Sequence, residues 1–106
     1  MIVVVFRSRI QPGVQQPYSE AAQSITAAAI MVPGYVSHKE FTAEDGESVI
    51  VAEYESEEAL MEWACDPRHM AAKKVGRQNF FVDYKIQICS LLRERSFSRG
   101  AGGVRK

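Results

Sequence analysis

Proline, glycine and acidic turn residues cut this 106-residue chain into six periodic stretches, and their order leaves few folds open. Residues 2–10 place Ile2, Val4, Phe6, Ser8 and Ile10 on one side and Val3, Val5, Arg7 and Arg9 on the other, the two-residue period of a strand. Gln11-Pro12-Gly13 ends it, since proline has no ladder donor and glycine admits the turn. Residues 17–31 then carry Tyr18, Ala21, Ala22, Ile25, Ala28 and Ala29, with Val32 just beyond, at helical spacing. Pro17 suits the first turn of that helix and Pro33-Gly34 stops it. Two strands follow, 35–42 and 48–55, and the turn-rich Ala43-Glu44-Asp45-Gly46-Glu47 between them predicts a hairpin.

Ser56 is placed as an N-cap, with Glu57 and Glu58 in a first turn that favours negative charge. Ala59, Leu60, Trp63 and Ala64 share a side of this second helix. Asp66-Pro67 supplies a fresh cap and a proline at the first helical position, so the helix is expected to break there and restart, running to about residue 80. Residues 82–94 read as a long last strand with Tyr84, Ile86, Ile88 and Leu92 facing one way. The Gly-rich basic tail, 98–106, is expected to be flexible, which leaves one domain over 1–97.

Strand, helix, strand, strand, helix, strand is the order of a ferredoxin-like α+β domain, an antiparallel sheet with both helices on one face. A monomer would keep the other face polar. Here it is half apolar: Val3, Val5, Cys89 and Leu91 lie among Arg7, Lys85, Gln87 and Arg93. A chain of this size buries only roughly 60–70% of its surface, so a second sheet packing there is expected, a homodimer closing two sheets into an α/β barrel.

Thirteen Lys+Arg offset thirteen Asp+Glu. This balance gives no electrostatic reason to expect a nucleic-acid partner. The zero hides a segregation. Residues 40–66 hold ten acids and no base, whereas 68–106 hold ten bases and two acids, and the body 1–97 carries a net −3. These are either two solvated surfaces or two faces that meet, within a subunit or across a dimer. No apolar run approaches the ~20 residues that cross a bilayer. The run 2–6 meets Arg7 too soon for a signal-peptide core. Cys65 and Cys89 form no CxxC, so no disulfide framework or metal site is expected, and reduced thiols fit a cytoplasmic protein. No glycine-rich phosphate loop supports a nucleotide cofactor, and the strands lack the aromatic pattern of an RNA-recognition domain.

The stretch Val3-Val4-Val5-Phe6-Arg7-Ser8-Arg9, then Pro12-Gly13, then a helix ending in Pro33-Gly34-Tyr35, resembles the antibiotic biosynthesis monooxygenase family. So do Tyr54-Glu55-Ser56-Glu57-Glu58-Ala59, Trp63, His69-Met70-Ala71-Ala72 and Gly76-Arg77. The closing Tyr84-Lys85-Ile86-Gln87-Ile88-Cys89 and Arg93-Glu94-Arg95-Ser96-Phe97 extend the likeness over roughly residues 2–97. The resemblance implies a dimeric α/β barrel with a pocket between helices and sheet in each subunit. It also implies oxidation of aromatic polyketides by molecular oxygen with no metal or flavin, although other members degrade haem or act on quinols. Against the haem-degrading branch, Lys73 stands where that branch has its iron-ligating histidine, and Arg7 or Ser8 stands where it has an asparagine. His69 remains the other axial candidate.

Oxidation without a cofactor needs a substrate that itself reduces oxygen, an apolar pocket, a base and donors for the resulting oxyanion. His69, Ala72, Lys73, Gly76 and Phe80 share a helix face, and an ordinary imidazole pKa of ~6.5 makes His69 the candidate base. Arg77 is the candidate oxyanion donor, its structural alternative being an ion pair with the acidic run. Trp63, Tyr54, Tyr84 and Lys73 are expected to contact substrate, and the aromatic ones are equally at home in a core. His38 reads as structural or exposed. The competing reading is a homodimer that binds or senses a small hydrophobic molecule without turning it over.

Overall fold

The computed structural model describes residues 1–100, 103 and 104. Four strands, β1 (Ile2–Ile10), β2 (Tyr35–Thr42), β3 (Ser48–Tyr54) and β4 (Phe81–Ser90), form one antiparallel sheet in the order β2-β3-β1-β4. Helices α1 (Gln15–Ala29), α2 (Glu57–Ala64) and α3 (Pro67–Val75) and a π-helical turn (Gly76–Phe80) complete the ferredoxin-like α+β unit. Beyond the sheet, β5 (Arg99–Gly100) pairs with β6 (Gly103–Val104). The expectation of a flexible tail falls partly on residues 101, 102, 105 and 106, which lie outside the described residues.

Register decides which side chains meet. Ile2, Val4, Phe6 and Ser8 of β1 stand opposite Tyr54, Ala52, Ile50 and Ser48 of β3, and opposite Ser90, Ile88, Ile86 and Tyr84 of β4. This is the face the helices cover. Tyr54, Leu60 and Trp63 form its buried centre, packed by Ile2, Val4, Ala52, Tyr35 and, from α1, Ile25, Ala28, Ala29 and Val32. Ala59 completes the buried apolar side chains among the described residues. Ala21 falls off this stripe and is exposed.

The predicted caps form. Ser56 Oγ accepts the Ala59 N–H at 3.1 Å, and Asp66 Oδ1 accepts the Arg68 N–H at 2.8 Å with Pro67 following. Gly34 turns the chain from α1 into β2 at φ +88°, a region β-carbons disfavour, and a β-carbon there would lie 2.4 Å from that of Ala59.

Several elements differ from the expected ones. α1 begins two residues early, because Pro17 is tolerated within a first turn whose N–H groups lack helical partners. The second helical stretch ends in the π-turn rather than an α-turn, with buried Gly76 close under the Phe81 ring. The last strand stops at Ser90, not residue 94. β4 pairs only with β1, whose first residue, Ile2, already faces Ser90, so Leu91 can do no more than donate to the Met1 carbonyl. Leu92 therefore leaves the apolar side and is 92% exposed.

The other sheet face carries Val3, Val5, Val49 and Val51 with Phe41, Gln87 and Cys89. At one end Arg7 holds Glu47 through two bonds, of 3.1 and 3.0 Å, and Arg9 reaches Asp45 at 2.7 Å. Within the subunit, then, the acidic run is met mainly by the first strand. The one described pair to the later basic run is local, Arg68 with Asp66. Among the described residues no helix is long and apolar enough to cross a membrane.

Candidate active site

The break at Asp66-Pro67 does more than restart a helix. Residues six apart in a continuous helix face different ways, but the break between α2 and α3 brings His69 over Trp63. The two rings stack at 4.5 Å between centroids and 8° between planes. His69 Nδ1 lies 3.1 Å from the Trp63 carbonyl oxygen. A carbonyl only accepts, so Nδ1 carries the proton and Nε2 is left with its lone pair.

Electrostatics keep the ring neutral. Burial holds the His69 imidazole below its ordinary value, and the Lys73 charge pushes the same way. The bond to the Trp63 carbonyl and the Asp66 carboxylate oppose them. Asp66 itself is held at about 2 by the Arg68 guanidinium and backbone N–H, so it stays ionised as the cap of α3. The net result is a neutral imidazole at neutral pH.

Of the predicted residues, Trp63, His69, Lys73 and Tyr54 are brought into one neighbourhood. Tyr54 sits with Trp63 in the core, 5% exposed, and burial pushes its hydroxyl up. Lys73 is half-buried one helical turn beyond His69. Arg77 and Tyr84 form a separate pair. Arg77 lies on the π-turn and donates from Nη1 to the Tyr84 hydroxyl at 3.3 Å, rather than pairing with the acidic run. Tyr84 in turn packs among Phe6 and Phe81, with centroids 5.6 and 5.4 Å away.

Ile86 and Ile88 lie on the helix-covered side of β4, yet they are 47% and 56% exposed. They make an open apolar floor in line with Val4 and Phe6. Ser8, not Arg7, is the first-strand residue on this side. It is fully buried and its hydroxyl makes no hydrogen bond among the described residues. No three His, Cys, Asp or Glu side chains converge to hold a metal among the described residues, and Cys65 and Cys89 are free and exposed.

One cluster escaped the sequence reading. Tyr35 is hydrogen-bonded through its hydroxyl to His38 Nδ1 at 2.5 Å and stands edge-on to Tyr54 at 6.1 Å. Strict alternation would put residues 35 and 38 on opposite faces. A register shift between Tyr35 and Ser37 brings them together, and nothing in the local composition announces it.

The sequence model of a family described as antibiotic biosynthesis monooxygenase matches residues 1–75. The Bacillus subtilis (strain 168) protein YqjZ is 28% identical over 80 residues, covering 76% of this chain and 70% of its own. Among solved structures, Rv0793 of Mycobacterium tuberculosis superposes with a TM-score of 0.79 at 19% identity, over 90% of this chain and 98% of its own. A mutant of SnoaB, a cofactor-independent oxygenase of Streptomyces nogalater, gives a TM-score of 0.76 at 15% identity, over 88% of this chain and 94% of its own. At such identities the structures share the fold with this chain.

Proposed function

Because this chain belongs to the antibiotic biosynthesis monooxygenase family, we propose that it is a cofactor-independent monooxygenase that oxidises a small aromatic, polyketide-like or quinol substrate with molecular oxygen. The observation that carries this reading is His69, a neutral imidazole tied at Nδ1 and stacked on Trp63. That arrangement leaves Nε2 free to act as a base. A phenol lying along Ile86 and Ile88 gives its proton to His69 Nε2. The phenolate, a far better reductant than the phenol, passes electrons to oxygen. One oxygen atom ends on the ring carbon as a carbonyl and the other leaves as water, so phenol and oxygen give quinone and water. Lys73 and the Arg77–Tyr84 pair supply positive charge and donors for the oxyanion.

The paired-sheet homodimer belongs to the same proposal. Four of the six residues that β1 and β3 place on the chain's second sheet face are valines, Val3, Val5, Val49 and Val51. A second subunit removes that surface from water and closes the barrel. Free Cys65 and Cys89 suit a cytoplasmic, reducing setting.

One observation favours the alternative, a small-molecule-binding homodimer without turnover. Arg77 is committed to Tyr84 and not to His69. Oxygen uptake by metal-free protein across a panel of phenols and hydroquinones decides between them. The monooxygenase reading expects uptake above buffer that falls at least about a hundredfold in His69→Ala, the scale of general-base loss. Tight binding with no uptake, unchanged in His69→Ala, supports the binding protein.

A further inference from the structure

The proposed chemistry leaves the Tyr35–His38 pair unused. Tyr35 opens the edge strand β2 and stands edge-on to Tyr54, at 6.1 Å between ring centroids. Tyr54 and Trp63 belong to one buried cluster, and Trp63 carries the His69 ring at 4.5 Å. Tyr35 packs against that cluster from outside and is half-buried. Its hydroxyl meets Nδ1 of His38, which is exposed. Trp63, Tyr54, Tyr35 and His38 thus follow one another from the candidate site through the core to solvent.

Packing accounts for the rings, since aromatic side chains fill a core at such distances. It does not account for a base on the outermost hydroxyl. Indole and phenol are the aromatic side chains that give up a single electron, and an oxidised phenol is an acid strong enough to shed its proton at once. Tyr54 is poorly placed to do so. It is 5% exposed, burial holds its hydroxyl above the ordinary value, and the neighbouring Tyr35 adds to that effect. Tyr84 receives a donor from Arg77, not an acceptor. Of the four tyrosines, Tyr35 alone has its hydroxyl on a base among the described residues. With the His38 proton on Nε2, the Nδ1 lone pair accepts from the phenol, and the exposed ring can carry a charge in water.

We infer that Trp63, Tyr54 and Tyr35 form a path that carries an oxidising equivalent out of the core, with His38 as the proton acceptor at its outer end. An oxidised Trp63 takes one electron from Tyr35 by way of Tyr54. As that electron leaves, the Tyr35 O–H bond breaks and its proton passes to His38 Nδ1. Trp63 is restored, and the outer pair becomes a neutral phenoxyl radical beside an imidazolium. A one-electron reductant in solution, of the thiol or ascorbate class, then reduces the phenoxyl, which takes its proton back from His38. The first oxidant is a superoxide or substrate phenoxyl radical at the site. That use rests on the oxygen chemistry proposed above; the path itself does not.

The test therefore needs no substrate. In the full-length chain, a laser pulse absorbed by indole alone ejects an electron from Trp63, the single tryptophan. Hexaamminecobalt(III) takes up that electron irreversibly. The absorption of the indole radical should decay into that of a tyrosine phenoxyl, at a rate independent of protein concentration. Tyr35→Phe keeps the ring and should abolish the phenoxyl while circular dichroism shows the fold intact, and Tyr84→Phe should leave it unchanged. In His38→Gln the transfer should slow at least about a hundredfold, the scale of a positioned base. None of these readings depends on oxygen uptake, so the path and the monooxygenase reading fail separately. A phenoxyl that survives Tyr35→Phe, a rate unchanged in His38→Gln, or an indole radical that passes instead to the exposed Cys65 thiol overturns the path.

Discussion

The imidazole of His69 and the indole of Trp63 form one unit, and its properties follow from burial. The folded His69 resists protonation, so the unfolded chain takes up that proton first as the pH falls below about 6.5. Stability therefore declines below about 6.5 and levels off once the folded imidazole is also charged. Because Trp63 is the only tryptophan, its fluorescence reports the stacked ring. Protonation of His69 should quench it with a midpoint below the ordinary imidazole value, and His69→Gln should abolish the transition. The same midpoint should govern the acid limb of kcat/KM. Gly34 offers a stability test. Gly34→Ala combines an unfavourable φ with overlap on Ala59 and should cost roughly 2–4 kcal/mol. Gly13→Ala, with φ +84° but open space, should cost only about 1 kcal/mol in denaturant unfolding. The types of the site residues were legible in the sequence. The stack was not, since it depends on how the chain turns at Asp66-Pro67, and the Tyr35–His38 pair was hidden by a register shift.

Among the elements, α2 and α3 hold the site, and each is fixed by a cap that the sequence made plain: a serine, then an aspartate before proline. Ser56→Ala removes the acceptor for Ala59 and should destabilise by about 1 kcal/mol. Asp66→Ala should in addition loosen α3 and lower oxygen uptake more than it lowers stability, because it frees the turn that lays His69 on Trp63. Comparing uptake with the unfolding midpoint in the two variants checks this. Periodicity located every strand and helix of the main sheet, since alternating and helical spacings are local properties. It overran the last strand because strand length is set by the partner. Ile2 is the end of β1, and pairing stops at Ser90 whatever follows. The π-turn at Gly76–Phe80 was equally out of reach. It inserts a residue into the helical period and swings Arg77 onto Tyr84, so Arg77 pairs with β4 and stays apart from the residues around His69.

At the scale of the whole molecule, the half-apolar second face was visible in the sequence as valines alternating with Arg7 and Lys85, and the register confirms that Val5 and Val51 lie side by side on it. Val5→Glu puts a charge at the centre of that surface. It should shift the protein to monomer in sedimentation equilibrium while the circular dichroism of the fold persists. The charge segregation was legible as well, but its partners were not. The first strand claims Asp45 and Glu47. The central claim is that the site built on His69 carries out oxygenation without a cofactor. Labelled dioxygen tests it most directly. Metal-free protein given the most reactive phenol of the panel under ¹⁸O₂ should place one labelled atom in each quinone, with labelled water as co-product, and His69→Ala should lose the reaction. Quinone formed at the buffer rate, or quinone free of the label, would contradict it.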